Sequence, residues 1–98
     1  MPKGYWVAHV DVRDPQIYED YKAANAAPFE KYGAKFVVRG GTQTVREGHV
    51  RMRTVVIEFP TVEAAYACYD SDAYQAAIAI RNPISEGDMV IVEGYEGA

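Results

Sequence analysis

The stretch that most constrains the fold is Arg53 to Tyr74, because it contains a buried strand, an abrupt end and a helix start. The β-branched run at 55–57 is typical of a strand that is covered on both faces. Pro60 ends that strand because it has no N–H for the ladder, and Thr61 suits the N-cap of a helix. Glu58 interrupts the apolar run, and a carboxylate there must meet water, a cavity or a cation. We therefore take Glu58 as the first pointer to a functional site.

An alternating strand and an aromatic helix precede this stretch. Residues 5–12 alternate between an apolar row and a mixed row, which predicts a half-buried strand. Asp14 and Pro15 suit the cap and the first turn of a helix whose aromatic side chains recur at three- and four-residue spacing. We expect Pro28 to kink or restart that helix, and Gly33 to end it.

The middle of the chain predicts a long β-hairpin. Strict alternation gives its first strand, 34–39, two faces, with Phe36 and Val38 on one and Val37 and Arg39 on the other. Gly40-Gly41 suggests a bulge, after which 42–46 continues in an extended conformation and 50–59 returns as the partner strand.

The remainder of the chain completes the order β-α-β-β-α-β. Ser71 is placed to cap a second helical piece after the first, 84–88 is expected to be a loop, and 89–92 the last strand. The order predicts one α+β domain over 1–98, of the ferredoxin-like type, with helices on one face of a four-stranded antiparallel sheet. The expected strand order across the sheet is 4-1-3-2.

The second face of that sheet is too apolar to face water. It would carry Val7, Val37, Val56 and part of the last strand. The simplest cover is a second copy of the chain, with the two sheets packed face to face around a two-fold axis. We therefore expect a homodimer.

Composition excludes several classes of function. A chain of 98 residues with net charge −4 and a pI near 5.0 does not suit a general nucleic-acid or anionic-membrane surface. Arg46, His49, Arg51 and Arg53 form a local basic patch that is interpreted as solvated hairpin charge or an anion contact. The single cysteine, Cys68, cannot form an internal disulfide, and no secretion signal or membrane span is evident, so we expect a cytoplasmic protein.

Several segments together resemble a small bacterial family called domain of unknown function 1330. They are Gly4-Tyr5-Trp6, Asp14-Pro15, Tyr32-Gly33, Val38-Arg39-Gly40-Gly41, Gly48, Val56-Ile57-Glu58-Phe59-Pro60, Tyr69-Asp70-Ser71, Tyr74-Gln75-Ala76-Ala77, Arg81 and Val92-Glu93-Gly94. The resemblance implies a dimeric α/β barrel of the ferredoxin-like type and no established activity. The wider superfamily includes cofactor-free monooxygenases, haem-degrading enzymes, lactone isomerases and chlorite dismutases. Their catalytic patterns do not match these positions, so no catalytic residue follows from the resemblance.

His9, Arg39 and Glu58 are the first candidate site. They fall on the less apolar rows of neighbouring strands and are expected to converge. A guanidinium with a carboxylate and an imidazole can bind a small carboxylate or enolate and move a proton, which makes His9 and Glu58 the catalytic candidates. The alternative is that Arg39 and Glu58 form a cross-strand ion pair at the dimer face.

A second candidate site lies between the helices and the sheet. An aromatic cavity with one amide would be formed there by Trp6, Tyr18, Tyr21, Asn25, Tyr69 and Tyr74. Such a cavity suits a flat apolar ligand, and its alternative is an ordinary core with tyrosine hydroxyls at the rim. The candidate ligand-binding residues of the two sites are thus Asn25, Arg39, Glu58, Tyr74 and Trp6.

The sequence has no phosphate-binding glycine loop, no Cys/His metal spacing and no nucleotide fingerprint, so no cofactor and no metal are expected. Three hypotheses follow. The chain is a homodimer that binds a small organic ligand, with activity of a cofactor-independent monooxygenase or isomerase type as a possible extension. The second hypothesis is a non-catalytic ligand sensor, and the third is a structural dimerisation module.

Overall fold

Four strands and three α-helices alternate along residues 2–96, which are the residues that the computed structural model describes. The elements are β1 (Gly4–Val12), α1 (Pro15–Tyr32), β2 (Lys35–Arg39), β3 (Arg53–Phe59), α2 (Val62–Asp70), α3 (Asp72–Arg81) and β4 (Ser85–Glu93), with a 3₁₀ turn at Asn82–Ile84. The strands are antiparallel and lie in the order β2-β3-β1-β4. This confirms the predicted order and places β1 and β3 at the centre of the sheet.

The register of β1 against β3 separates the two faces of the sheet. Trp6 lies opposite Ile57 and faces the helices, whereas Val7 lies opposite Val56 and faces away from them. The helix side contains the core, in which Trp6, Ile57 and Phe59 are at most 4% exposed. The other side, called the open face below, is not covered by a helix.

The helix ends follow the capping residues of the sequence. The Asp14 carboxylate accepts hydrogen bonds from the backbone N–H groups of Gln16 and Ile17, and α1 ends at Gly33 with φ of 75°. The expected restart at Pro28 is wrong, because α1 is one continuous helix through that residue. Ser71 ends α2 and caps α3, as its position predicts.

The prediction of a long β-hairpin is wrong for the outer half of the hairpin. The described chain has no strand between Arg39 and Arg53, and residues 41–50 are all exposed, so segment 40–52 is a loop. Gly40 turns the chain with φ of 70°, and the Gln43 side chain bonds the Arg51 carbonyl in place of a backbone ladder. An extended segment with no surface to pack on lacks the burial that stabilises strands.

The last strand is longer than predicted. Its first residue, Ser85, pairs with Val12, and pairing continues to Glu93 opposite Gly4. The polar sequence of 84–88 predicts a loop. In the structure β1 supplies backbone hydrogen-bond partners for that segment from Ser85 onward. Gly87 belongs to the ladder, and a Cβ there would lie 2.9 Å from the carbonyl oxygen of His9.

A bulge in β2 changes which residues share a face. The register of β2 against β3 shifts between Phe36 and Val38, so that one extra residue is accommodated at Val37. The predicted alternation is therefore wrong beyond Phe36. Val38 lies opposite Val56 on the open face, and Arg39 lies opposite Val55 on the helix side.

Candidate functional site

A narrow cavity of ≈ 40 Å³ lies between α1, α3 and the helix side of the sheet. That volume holds about two water molecules. Its wall has aromatic rings from both the helices and the sheet, with aliphatic side chains from the sheet. Four of the five predicted ligand-binding residues line it: Trp6, Asn25, Arg39 and Tyr74. Glu58 does not.

Trp6 fixes the inner wall of the cavity. Its indole N–H donates a hydrogen bond of 3.0 Å to the backbone carbonyl of Ala65, and its ring is 2% exposed. Phe29 and Tyr74 both meet the ring edge to face, at centroid distances of 5.4 and 4.8 Å. Contacts of this kind hold the wall in one arrangement. Tyr69, the remaining aromatic residue of the predicted cavity, packs against Trp6 in the core instead.

Two polar groups in this wall have no partner. Asn25 is 3% exposed, yet its side-chain amide makes no hydrogen bond within residues 2–96. The Nε of Arg53 is buried and is likewise unpaired among these residues. Leaving the buried Nε unsatisfied costs about 1–3 kcal/mol, whereas the unpaired Asn25 amide keeps a small accessible surface.

Two tyrosine hydroxyls and one guanidinium form a network at the end of the cavity. The hydroxyls of Tyr21 and Tyr74 lie 2.6 Å apart, and Arg81 Nη1 donates to both oxygens over 3.2 Å. Burial raises the pKa of the Tyr74 hydroxyl above its usual value, so it is protonated at neutral pH. The same cause raises the pKa of Tyr18, against a smaller opposing effect of Arg53.

Three arginines surround the cavity, and each lies against an aromatic ring. The guanidinium carbon is 3.9 Å from the Phe36 centroid for Arg39, 5.4 Å from the Tyr18 centroid for Arg53, and 5.1 Å from the Tyr21 centroid for Arg81. No carboxylate of residues 2–96 forms an ion pair with any of these arginines. Lys22 also reaches the wall, but it pairs with Glu19 at 3.0 Å.

The other predicted cluster does not assemble in the protomer. Glu58 is on the open face, where it accepts hydrogen bonds from Lys3 over 3.3 Å and from Tyr5 over 3.2 Å. His9 lies four positions further along β1 from Tyr5, which is about 13 Å, and its Nδ1 is 3.0 Å from Thr54 Oγ1. The expected convergence of His9, Arg39 and Glu58 is therefore wrong.

The bulge is the physical reason for that error. It turns Arg39 to the helix side, so the alternative cross-strand ion pair between Arg39 and Glu58 is not formed either. Sequence reasoning also missed Arg53 and Arg81 as members of the cavity. The signal for Arg53 is its two-residue spacing from Val55 and Ile57, which places it on the buried row of β3. The signal for Arg81 is that it shares a helix face with Tyr74 and Ile78.

Two further observations concern other kinds of site. Within residues 2–96 no group of three or more histidine, cysteine, aspartate or glutamate side chains is arranged to hold a metal ion. None of the helices in that range is both long enough and apolar enough to span a bilayer.

The sequence profile of the family described as domain of unknown function 1330 matches residues 3–95. No functionally curated protein matches the chain at a significant level.

Three solved structures illustrate the similarity of fold. A protein of unknown function from Rhodopseudomonas palustris has a TM-score of 0.77 at 17% identity, covering 98% of this chain and 85% of that one. SnoaB, a cofactor-independent oxygenase from Streptomyces nogalater, has a TM-score of 0.64 at 15% identity, covering 99% and 97%. A dimeric protein of unknown function with a ferredoxin-like fold from Bacteroides fragilis has a TM-score of 0.61 at 15% identity, covering 93% and 95%. These similarities confirm the ferredoxin-like fold.

Proposed function

The chain belongs to the family called domain of unknown function 1330, and we propose that it is a homodimeric protein that binds a small organic molecule in the cavity between α1, α3 and the sheet. The observation that carries this proposal is the pair of unpartnered polar groups, the Asn25 amide and Arg53 Nε, in the wall of one aromatic cavity. A ligand with polar atoms would satisfy the Asn25 amide, and it would reach Arg53 Nε once the side chains around that atom moved aside.

The alternative of an ordinary filled core explains these groups less well. A core under selection for stability alone gains by replacing an unsatisfied buried amide with an apolar residue of similar size. Since the cavity holds only ≈ 40 Å³, a ligand larger than a few atoms enters by displacing side chains at the rim. Arg39 is exposed and Lys22 is half-buried, so both have room to move.

Binding is better supported than proton abstraction. No histidine, aspartate, glutamate or cysteine of the described chain lines the cavity, and its buried tyrosine Tyr74 has a raised pKa. A general base that works near neutral pH is therefore missing from the wall. The fold shared with a cofactor-independent oxygenase favours catalysis as the second candidate function, for a substrate that enters already ionised.

The open face supports the homodimer. Val38, Val90 and Val92 are 38%, 58% and 45% exposed on this face, and they adjoin the half-buried Val7 and Val56. An apolar face of this size favours burial against a second sheet. A dimeric neighbour with the same fold supports the same arrangement. In such a dimer Glu58 and His9 lie at or near the interface rather than in the ligand cavity.

A thermal-shift screen of small aromatic compounds against wild type and Asn25→Leu tests the binding proposal. We expect some compounds to raise the melting temperature of wild type, because a ligand that binds only the folded state stabilises it. Asn25→Leu should be at least as stable without ligand and should lose those shifts. Asn82→Leu, which replaces an exposed asparagine, is the matched control and should keep them. Unchanged shifts in Asn25→Leu would show that the compounds bind elsewhere.

A further inference from the structure

The charge around the cavity is more informative than its size. Arg39, Arg53 and Arg81 all line it, and no acidic residue of the described chain does. The chain as a whole has net charge −4. Carboxylates are therefore abundant elsewhere on the protein and are kept away from this one volume.

Two of the three arginines outside the cavity form ion pairs with carboxylates. Arg51 pairs with Asp11 at 2.9 Å and with Asp88 at 3.0 Å, and Arg13 lies 3.6 Å from Glu86. The cavity arginines instead lie against aromatic rings, as described above. An aromatic face stabilises the charge of a guanidinium without occupying its N–H donors in the way that a carboxylate does, although Nη1 of Arg81 already donates to the hydroxyls of Tyr21 and Tyr74.

Arg53 contributes its side chain to the cavity from the sheet. Its side chain starts on the buried row of β3, where Arg53 lies opposite Val10 of β1. Gly40 has to be a glycine for the guanidinium to lie where it does, since a Cβ there would overlap Nη1 of Arg53. The buried Nε is left without a partner, in the same cavity wall as the equally unpaired amide of Asn25.

From these observations we propose that the ligand is an organic anion, namely a carboxylate on a flat apolar body. This inference rests on the proposed function of the cavity. Arg53 and the Asn25 amide donate hydrogen bonds to the carboxylate, because a planar guanidinium matches the geometry of a planar carboxylate. Arg39 closes over it from the rim, and the rings of Trp6 and Tyr74 hold the apolar body.

Two matched pairs of probes test the charge of the ligand: benzoate against benzamide, and 2-naphthoate against 2-naphthamide. Each pair keeps its shape and changes only the carboxylate to a neutral amide. Binding is measured by amide chemical shifts in NMR titrations, in a chloride buffer without carboxylates. We expect the acids to bind at least about tenfold more tightly than the amides, as is typical for hydrogen bonds to a charged group.

Three variants show whether the arginines cause this preference. Arg53→Gln and the exposed Arg39→Gln should each lower the affinity for the acids toward that for the amides. Arg46→Gln makes the same charge change on the exposed loop 40–52 and should keep the preference. Because Arg39 is exposed, its variant is informative even if Arg53→Gln folds poorly.

The outcomes separate the two proposals. Equal affinity for acid and amide in the cavity would contradict the anionic ligand while leaving small-molecule binding intact. A preference for the acid that persists in both Arg39→Gln and Arg53→Gln would contradict the assignment to these arginines. If neither acid nor amide shifts the resonances of Asn25 or Trp6, the proposed function fails and this inference fails with it.

Discussion

The guanidinium of Arg39 lies 3.9 Å from the centroid of the Phe36 ring, although an unbroken strand would place these two side chains on opposite faces of the sheet. The bulge at Val37 makes the contact possible. The bulge places the Arg39 guanidinium in the wall of the helix-side cavity instead of on the open face. One extra residue in β2 thus decides which of two candidate sites the protein has.

Gly40→Ala should displace Arg53 and weaken ligand binding. Gly40 has φ of 70°, and a Cβ there would overlap the Arg53 guanidinium. We expect a loss of stability of about 1 kcal/mol from the backbone conformation, with a further loss of affinity for benzoate. Gly48→Ala is the matched control, because Gly48 has φ of 71° but nothing within 4 Å of the added Cβ. Equal benzoate affinities of the two variants would contradict the role given to Gly40.

Tyr74→Phe should destabilise the fold by about 1–2 kcal/mol, because it removes one hydroxyl from a buried hydrogen-bonded pair. Tyr21 would keep its bond from Arg81, which limits the loss. Tyr66→Phe is the control, since Tyr66 is 51% exposed and should change stability by less than about 0.5 kcal/mol. Urea unfolding curves measure both. Similar midpoints for the two variants would show that the buried pair contributes no net stability.

The anchor of loop 40–52 should loosen in acid. Asp11 accepts a hydrogen bond of 2.8 Å from the backbone N–H of Met52, which with the neighbouring Arg51 lowers the pKa of Asp11 below its usual value of 3.8. Since the folded pKa is the lower one, the stabilisation is complete above the unfolded pKa and is lost as the pH falls from there through the folded pKa. NMR hydrogen exchange should show a smaller protection factor for the Met52 amide in that range, relative to the intrinsic exchange rate at each pH.

Asp11→Asn is the control for this effect. An asparagine keeps an acceptor oxygen and does not titrate, so the pH dependence of the Met52 protection factor should disappear. The same acid-induced change in Asp11→Asn would mean that another group releases the loop.

Val90→Asp should convert a dimer to a monomer. Val90 is exposed on the open face opposite Val7, and a carboxylate buried in an interface is costly. Ile17→Asp is the control, because it adds the same charge in the first turn of α1, where a negative charge is favourable. Light scattering after size exclusion reports the mass. A monomeric wild type at micromolar concentration would contradict the homodimer.

The parts of the fold that depend on local chemistry could be predicted from the sequence. Asp14, Gly33 and Ser71 mark helix ends through capping preferences that act over a few residues, and the structure confirms all three. The apolar rows of β1 and β3 likewise predict the central strands, because burial on two faces requires such residues.

The candidate site was harder to predict, because it depends on register. Trp6, Asn25 and Tyr74 were placed in the helix-side cavity by their spacing along single elements, and the structure has them there. Strict alternation puts Arg39 on the wrong face, since the glycine signal for a bulge is at Gly40-Gly41 whereas the register shifts at Val37. The sequence does not predict the polar start of β4, because that segment is extended through its pairing with β1 and not through its own residue preferences.

The most direct test of this account is a crystal structure of the protein with benzoate at saturating concentration. The account predicts benzoate between α1, α3 and the sheet, with its carboxylate within hydrogen-bonding distance of Arg53 and of the Asn25 amide, and with its ring against Trp6 and Tyr74. Benzoate bound on the open face near Glu58, with the cavity unchanged, would contradict it.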